Sequence, residues 1–325
     1  MKTRTLDQIY ADPIFQALNP EGKRFMEVRW LPPRLNAFAP HGIEVAALIP
    51  FGVFPHIKTI AAVGMMLEDF KNGLYRGKET IVVDSSGNTA HAVARLAHAF
   101  GFKEIKVVLS VDVPESKKGI LAALSSVELI EVGGGKSVAR RAEEEAQKPG
   151  HYRLDQYSHL GNMRAHELYT GPEILRVLDD DVAAIALAMG SGGTAAGVGR
   201  FLKQTHPETT VVGVRPVLGE QVPGARDRKR MEDVVTLPWE TAVDEVVEIG
   251  RKESFIGMRQ LWSAIEPQPG PTSGLAWIGL KRHLESLEPE MFEKLKGKRV
   301  AFMCPDDGRF YSERTTGELD TGQGL

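Results

Sequence analysis

The sequence is short of cysteine, of long apolar runs and of any large excess of one charge. Cys304 is the one cysteine among 325 residues, which excludes an internal disulfide and a cysteine-based zinc site. A reducing, cytoplasmic setting is therefore expected, and no metal ligands are predicted. Residues 1–19 contain no continuous apolar stretch, so we expect a soluble protein with neither a secretory signal nor a membrane partner. A formal net charge of -3 argues against a nucleic-acid partner.

Short apolar runs alternate with longer amphipathic stretches along the chain. This alternation is typical of βαβ units with a mostly parallel sheet, so we expect an α/β fold. The apolar runs predict strands at 43–49, 80–83, 105–109, 127–132, 183–189, 210–214 and 300–303. Helical periodicity is clearest over 89–100 and 195–205.

Turn-forming residues divide this pattern into two blocks. Three glycines and a lysine occupy 133–136, and a Lys-Pro-Gly turn follows the next helix at 148–150. The composition therefore predicts a domain boundary near residue 150. Residues 315–325 are rich in Thr and Gly with little apolar content, which predicts a frayed tail.

A glycine-rich loop at 190–194 lies between a predicted strand and a predicted helix. Such a loop can cradle a phosphate, because free backbone N–H groups point outward and the helix dipole favours an anion. Glycine loops also serve as plain strand-to-helix turns. A dinucleotide-binding site fits less well, since it wants an acidic residue about 20 positions later, where Arg215 ends the next strand.

A second loop, Ser-Ser-Gly-Asn-Thr at 85–89, also follows a strand and opens a helix. Its two serine hydroxyls, its amide and its free N–H groups suit a carboxylate ligand. A simple helix-capping turn is the alternative interpretation.

With these loops placed, the sequence resembles the cysteine synthase group of fold-type II pyridoxal-phosphate enzymes, most closely its cysteine synthase B branch. The likeness covers most of the chain, from about residue 29 to 311. Besides the two loops, the ordered motifs that carry it are Asp155-Gln156-Tyr157 followed by Asn162 and His166, Thr170-Gly171-Pro172-Glu173-Ile174, Val222-Pro223-Gly224-Ala225-Arg226, Gly270-Pro271-Thr272-Ser273-Gly274 and Pro305-Asp306-Asp307-Gly308.

The resemblance implies two open, mostly parallel twisted sheets with helices on both faces and an active site between two domains. The smaller N-terminal domain is expected at 43–150, and the larger cofactor-phosphate domain at 1–42 plus 151–325. A homodimer is also implied.

Lys58 is the expected Schiff-base lysine and the catalytic residue. It precedes the loop at 85–89 by about the family's distance and starts an amphipathic helix through Met65, Met66 and Phe70. The family's usual sequence around this lysine is replaced by Pro-Phe-Gly-Val-Phe-Pro-His-Ile at 50–57, which leaves the substrate open. His56 is either an additional acid or base or a packed histidine.

The resemblance also assigns roles to the loops. Lys58 and Asn88 would bind the cofactor, pyridoxal 5'-phosphate, and Thr272 would meet its ring nitrogen, with Ser273 as the alternative. The phosphate would be held by Gly190, Ser191, Gly192, Gly193 and Thr194. The substrate carboxylate would be held by Ser85, Ser86, Gly87, Thr89 and Gln156.

The leading hypothesis is β-replacement on an activated L-serine, such as O-acetylserine or O-phosphoserine. Sulfide or another nucleophile would add to an aminoacrylate and give cysteine or an analogue. β-Elimination by a serine or threonine dehydratase or a cysteine desulfhydrase stays open. So do a nicotinamide-binding reductase using 190–194 and a non-catalytic relative that binds a partner.

Overall fold

The structure is a computed structural model that describes residues 4–50 and 54–311. The strands within these residues are β1 (Glu27–Trp30), β2 (Glu44–Ile49), β3 (Thr80–Asp84), β4 (Glu104–Ser110), β5 (Val127–Val132), β6 (His151–Arg153), β7 (Ala184–Ala188), β8 (Thr210–Pro216), β9 (Glu245–Ile249) and β10 (Arg299–Met303).

The α-helices of the described chain are α1 (Leu6–Tyr10), α2 (Pro13–Leu18), α3 (Lys58–Lys71), α4 (Asn88–Ala97), α5 (Glu115–Ala122), α6 (Val138–Ala146), α7 (Leu160–Ala165), α8 (Gly171–Val177), α9 (Gly193–Thr205), α10 (Arg228–Glu232), α11 (Arg251–Trp262), α12 (Pro271–Ser286) and α13 (Pro289–Leu295). A π-helical turn, His166–Thr170, precedes α8. Short 3-10 helices occur at Ala39–His41, His98–Phe100 and Gly308–Tyr311.

The chain divides into two compact units whose bounds differ from the predicted ones. The first unit comprises Met1–Lys23 and Lys58–Ala165, and the second comprises Arg24–Ile57 and His166–Leu325. Strand β2 lies in the second unit because it pairs in parallel with β10. The N-terminal helices lie in the first unit, where Phe15 of α2 packs edge-on against Phe100 with ring centroids 5.6 Å apart.

The sheet of the first unit has the order β5-β4-β3-β6 among the described strands, and every neighbouring pair is parallel. Strand β3 reads Thr-Ile-Val-Val-Asp and is buried along its whole length, as expected for a parallel strand covered on both faces. Helix α3 approaches α7 closely at Gly64, where a β-carbon would stand 2.6 Å from the carbonyl oxygen of Gly161.

The sheet of the second unit has the order β1-β2-β10-β7-β8-β9 among the described strands. Its neighbours are parallel except β1 and β2, which run antiparallel. Its core includes the fully buried rings of Trp277 on α12 and Phe302 on β10, whose centroids are 5.5 Å apart. Two mostly parallel sheets with helices on both faces confirm the predicted fold class.

Most predicted elements are found in the structure. The seven predicted strands are present with ends shifted by at most two residues, and the two predicted helices correspond to α4 with its 3-10 extension and to α9. Strands β1, β6 and β9 were not predicted. The predicted frayed tail lies outside the described residues. None of the described helices is long and apolar enough to cross a membrane.

Glu145 connects α6 to the sheet of the first unit through ion pairs. Its carboxylate is fully buried and lies 3.1 Å from Lys106 on β4, 2.9 Å from Arg141 and 2.7 Å from Lys148. Burial by itself would raise the pKa of Glu145, but the hydrogen bonds from Lys148, Lys106 and Arg141 outweigh it and lower this pKa to about 2.

We predict that Glu145→Gln lowers the free energy of unfolding at pH 7 by roughly 3 kcal/mol, because the ion pairs that a fully buried carboxylate makes with three cations are lost. The folded-state pKa lies below the unperturbed value of 4.5, so the carboxylate's contribution is fully present above pH 4.5. It is lost as the pH falls toward 2. Urea unfolding at several pH values measures the difference between the two proteins.

The matched control is Glu144→Gln on the same helix, because Glu144 is about half exposed and pairs with Arg140 at 3.4 Å. Exposed pairs of this kind contribute less than about 1 kcal/mol. Equal destabilisation by the two substitutions would contradict the role given to Glu145.

Candidate active site

Lys58 is the first residue of α3 and is half-buried. The next three residues of the helix are buried, as are Met65 and Met66 further along, so the predicted amphipathic helix is confirmed. Residues 51–53 of the altered approach to this lysine lie outside the described chain. His56 is buried in the second unit, where its backbone bridges to Asp306.

The loop at 85–89 connects β3 to α4, as predicted. Gly87 is the N-cap of α4, and its N–H donates to the Ser85 hydroxyl at 3.3 Å. Asn88 begins the helix, and residues 85–88 are half-buried. The loop therefore places hydroxyl, amide and backbone N–H groups at the positive end of a helix dipole, which suits a carboxylate.

Gln156 is hydrogen-bonded to this loop, although 67 positions separate it from Thr89. The Thr89 hydroxyl donates to the Gln156 side-chain oxygen at 2.7 Å. The side-chain amide of Asn162, on α7, donates to the Gln156 carbonyl at 2.8 Å. Two residues assigned to the substrate carboxylate are thus brought together in the first unit.

Asp69, on the last turn of α3, organises a polar cluster that was not predicted. Its carboxylate accepts from the Tyr152 hydroxyl and pairs with His159 Nε2, both at 2.7 Å. The Gly161 N–H donates to His159 Nδ1 at 2.9 Å, so Nε2 carries the proton given to Asp69. Burial, followed by the hydrogen bond to Asp69, raises the pKa of Tyr152. The cluster fixes the stretch that follows Gln156 to the lysine-bearing helix.

The glycine-rich loop at 190–194 lies between β7 and α9, as predicted. Its residues are buried, and Gly192 is the N-cap with a positive φ of 77°. The Ser191 hydroxyl accepts from the Gly193 N–H at 3.5 Å. Buried backbone N–H groups at the N-terminus of a 13-residue helix form the arrangement that binds phosphate.

His166, in the π-helical turn, contacts this loop. Its Nε2 lies 3.2 Å from the Thr194 hydroxyl, and its Nδ1 lies 2.8 Å from the Thr170 hydroxyl. The ring is completely buried. Both ring nitrogens have hydroxyl partners, so the imidazole orients Thr194 at the start of α9.

The segment 222–226 packs its backbone directly against this loop. A β-carbon on Gly190 would stand 2.4 Å from the carbonyl oxygen of Gly224, and the Arg226 N–H donates to the Met189 carbonyl at 2.9 Å. On its other side, Gly224 approaches Thr272, whose methyl group would lie 3.2 Å from a β-carbon there. The structure thus brings the glycine-rich loop and Thr272 to the same segment of the second unit.

Thr272 lies in the first turn of α12 and is 2% exposed. Its hydroxyl donates to the Asp306 carboxylate at 3.4 Å. The neighbouring Ser273 is also buried, and its hydroxyl has no hydrogen-bond partner among the described residues. Burial raises the pKa of the Cys304 thiol to about 12, and the Asp306 charge adds to it.

Arg215 does not support the dinucleotide interpretation. Its guanidinium pairs with Glu248 on the neighbouring strand β9, with a nitrogen to oxygen distance of 3.0 Å. A guanidinium that already has a carboxylate partner is a poor receptor for a 2'-phosphate.

The predicted site residues form two groups, one in each unit. The first contains Lys58, the loop at 85–89 and Gln156, and the second contains the loop at 190–194 and Thr272. The sequence motifs included His166, Asn162 and Asp306 but gave them no role. His166 contacts Thr194 28 positions away and Asp306 contacts Thr272 34 positions away, so only the motif order could have pointed to these two residues.

The second unit's residues fit the phosphate of a cofactor. Gly190 has no room for a side chain, since the Gly224 carbonyl fills the position of a β-carbon. Position 190 therefore has to be glycine, and the loop's own side chains are the hydroxyls of Ser191 and Thr194. A glycine-rich loop at a helix N-terminus suits a phosphate ester.

Comparison with known proteins agrees with this geometry. A sequence model of the family described as "Pyridoxal-phosphate dependent enzyme" matches residues 56–306. The cysteine synthase B of Pseudomonas aeruginosa is 29% identical over 257 residues, which cover 79% of this chain and 83% of that protein. The cysteine synthase B of Escherichia coli is 29% identical over 271 residues, covering 82% and 86%.

Solved structures share the fold. O-ureido-L-serine synthase superposes with a TM-score of 0.79 at 21% identity, covering 95% of this chain and 96% of that one. A hydrogen sulfide-producing enzyme from Fusobacterium nucleatum gives a TM-score of 0.76 at 20% identity, covering 88% and 94%. Because the family match spans residues 56–306, most of the chain, the protein belongs to the pyridoxal-phosphate-dependent enzymes.

Proposed function

We propose that this enzyme catalyses β-replacement on an activated L-serine, with sulfide or another nucleophile, to give cysteine or an analogue. The similarity to the two cysteine synthases supports the substrate class. The hydrogen bond of 2.7 Å between Thr89 and Gln156 is the observation on which the proposal depends, because it joins the two elements assigned to an amino-acid carboxylate.

The residues of the first unit would bind the amino acid and move its proton. Ser85, Ser86, Gly87 and Thr89 present hydroxyl and N–H donors at the start of α4, and Gln156 is held beside them by Thr89 and Asn162. We propose that Lys58 holds the cofactor through Nζ and, once released, takes the proton from Cα of the substrate. Lysine suits both roles because its amine is nucleophilic when neutral and basic when free.

The residues of the second unit would hold and tune the cofactor. The loop at 190–194 would bind its phosphate, with His166 fixing the Thr194 hydroxyl, and Thr272 would meet the ring nitrogen. Asn88 of the first unit would contact the phenolic oxygen. Bound pyridoxal phosphate supplies the ring that takes up the electrons left when the Cα–H bond breaks, which allows a β-substituent to leave.

We further propose a cytoplasmic homodimer. The lone buried Cys304 is consistent with a reducing compartment. The dimer is supported by the family resemblance alone.

We predict that the purified protein converts O-acetylserine or O-phosphoserine to cysteine when sulfide is present. Without sulfide, the nucleophilic step has no partner, so little product other than slowly formed pyruvate is expected. Cysteine is measured colorimetrically, and pyruvate by a coupled assay. Equal pyruvate production with and without sulfide would instead favour β-elimination.

We predict that Lys58→Ala removes the visible absorbance of the bound cofactor and abolishes turnover, because no other group is assigned to hold the aldehyde. Lys71→Ala is the matched control, since Lys71 is exposed at the far end of the same helix. The spectrum and the activity of both variants are compared. Retained colour and activity in Lys58→Ala would refute the assignment.

We predict that Gly190→Ala weakens binding of pyridoxal phosphate by at least about tenfold. The new β-carbon would stand 2.4 Å from the Gly224 carbonyl oxygen, so the backbone N–H groups of the cradle must move. Fluorescence titration of the cofactor-free protein gives the dissociation constant. Gly119→Ala is the control, because a β-carbon there has nothing within 4 Å. Unchanged affinity in Gly190→Ala would argue that the phosphate binds elsewhere.

A further inference from the structure

Strands β3 and β6 lead to the two elements assigned to the substrate carboxylate. The strands are paired in parallel, and the paired residues end at Val82 on β3 and Arg153 on β6. From there β3 runs two residues further before the loop at 85–89 begins, and the other segment reaches Gln156 three residues after Arg153. Side-chain contacts are therefore needed beyond the paired residues to hold the loop and Gln156 at a fixed distance.

Arg153 makes such a contact at the end of the paired residues. Its Nη2 donates to the Asp84 carboxylate at 2.9 Å, and the two side chains are only 17% and 6% exposed. Asp84 is the last residue of β3 and directly precedes Ser85. Because little water reaches this ion pair, it is screened less than a surface pair. The pair therefore connects β6 to the residue from which the loop at 85–89 departs.

The same guanidinium faces the turn that contains Gln156. Its Nη1 lies 4.0 Å from the carboxylate of Asp155. That carboxylate accepts from the Tyr157 N–H at 2.9 Å and from the Ser158 hydroxyl at 2.8 Å, so it shapes the turn around Gln156. One positive charge thus lies between the carboxylate that precedes the loop at 85–89 and the carboxylate that orders the Gln156 turn.

The position of Arg153 is not the best one for its own hydrogen bonding. Its Nε is buried and has no hydrogen-bond partner among the described residues. The remaining partner of its Nη1 is Glu143, at 3.4 Å, whose side chain is exposed. A buried N–H without a partner is unfavourable for folding. Local costs of this kind are expected where a residue serves a functional site.

We propose that Arg153 is a positioning residue, whose ion pair with Asp84 keeps the loop at 85–89 at the distance from Gln156 that an amino-acid carboxylate requires. The inference rests on the proposed function, in which these two elements bind the substrate carboxylate. In this role Arg153 touches neither substrate nor cofactor, and no covalent bond changes. Loss of the pair lets the loop and Gln156 move apart, which weakens binding of the carboxylate, because a binding site depends on the residues that support it.

The test compares two ligands of the full-length protein loaded with pyridoxal phosphate. These are L-serine, whose hydroxyl is a poor leaving group, and L-serine methyl ester, which lacks the charged carboxylate. Each is titrated against the visible absorbance of the bound cofactor, which gives an apparent dissociation constant. In Arg153→Ala, we expect the constant for L-serine to rise about tenfold and that for the methyl ester to change by less than about twofold. A general loosening of the protein would change both constants together.

Asp84→Asn is the second variant in case Arg153→Ala fails to fold, because it removes the charge and keeps the shape of the side chain. It should also raise the constant for L-serine selectively. The variant with both substitutions should bind L-serine no worse than the more affected single variant, since both remove the same pair. Lys103→Ala is the matched control. It breaks an ion pair of 3.0 Å with Glu79, beside the first residues of β3 and β4, and should leave both constants unchanged.

An L-serine constant that stays within about twofold of the unmodified protein in both single variants would overturn the inference. An equal rise for the methyl ester, or additive losses in the double variant, would overturn it as well. Failure of the proposed function is distinguishable: L-serine would then leave the absorbance of the unmodified protein unchanged, or no visible absorbance dependent on Lys58 would form, and the inference would fall with it. A response to L-serine that survives in both single variants would reject the role of Arg153 alone.

Discussion

The contact between Gly190 and the carbonyl oxygen of Gly224 is the constraint around which the second unit's half of the site is arranged. No side chain fits between the two backbones, so the glycine-rich loop and the segment 222–226 touch directly. The same segment reaches Thr272 through the other side of Gly224. The loop assigned to the phosphate and the residue assigned to the cofactor ring are therefore both in contact with Gly224.

In the first unit, hydrogen bonds position the residues assigned to the substrate. Thr89 holds Gln156, and Asn162 holds the backbone of the same glutamine. Asp69 joins His159 and Tyr152 to the helix that begins at Lys58. Since buried polar groups are costly to leave unpaired, these bonds favour one arrangement of the loop at 85–89 over its alternatives.

The apolar pattern of the sequence predicted the inner strands of both sheets and one edge strand, β5, but missed the other three edge strands. Strands β1 and β9 lie at the two ends of the larger sheet as described, and β6 lies at one end of the smaller. In β1, Glu27 and Trp30 are exposed and only the middle residues are half-buried. Such strands carry no continuous apolar run, so periodicity gives them no signal.

The sequence predicted less well which unit each strand belongs to and which side chains contact one another. Strand β2 reads as the start of the N-terminal block, yet it pairs with β10 some 255 positions away, as the Arg299 to Glu44 contact shows. The loops at 85–89 and 190–194 were predicted at the correct elements because a strand followed by glycine and a helix is a local pattern. The roles of Asp69, His166 and Asp306 depend on partners remote in sequence, which no local pattern reveals.

The contact between His166 and Thr170 depends on the number of residues in their π-helical turn as well as on the two side chains. A π-turn contains one residue more than the corresponding α-helical turn. Removing one residue between His166 and Thr170 would take the extra residue out of the turn and leave the two side chains three positions apart instead of four. His166 and Thr170 would then no longer face each other as they do at 2.8 Å. Single-residue deletions in this turn should therefore be tolerated less well than substitutions that keep its length.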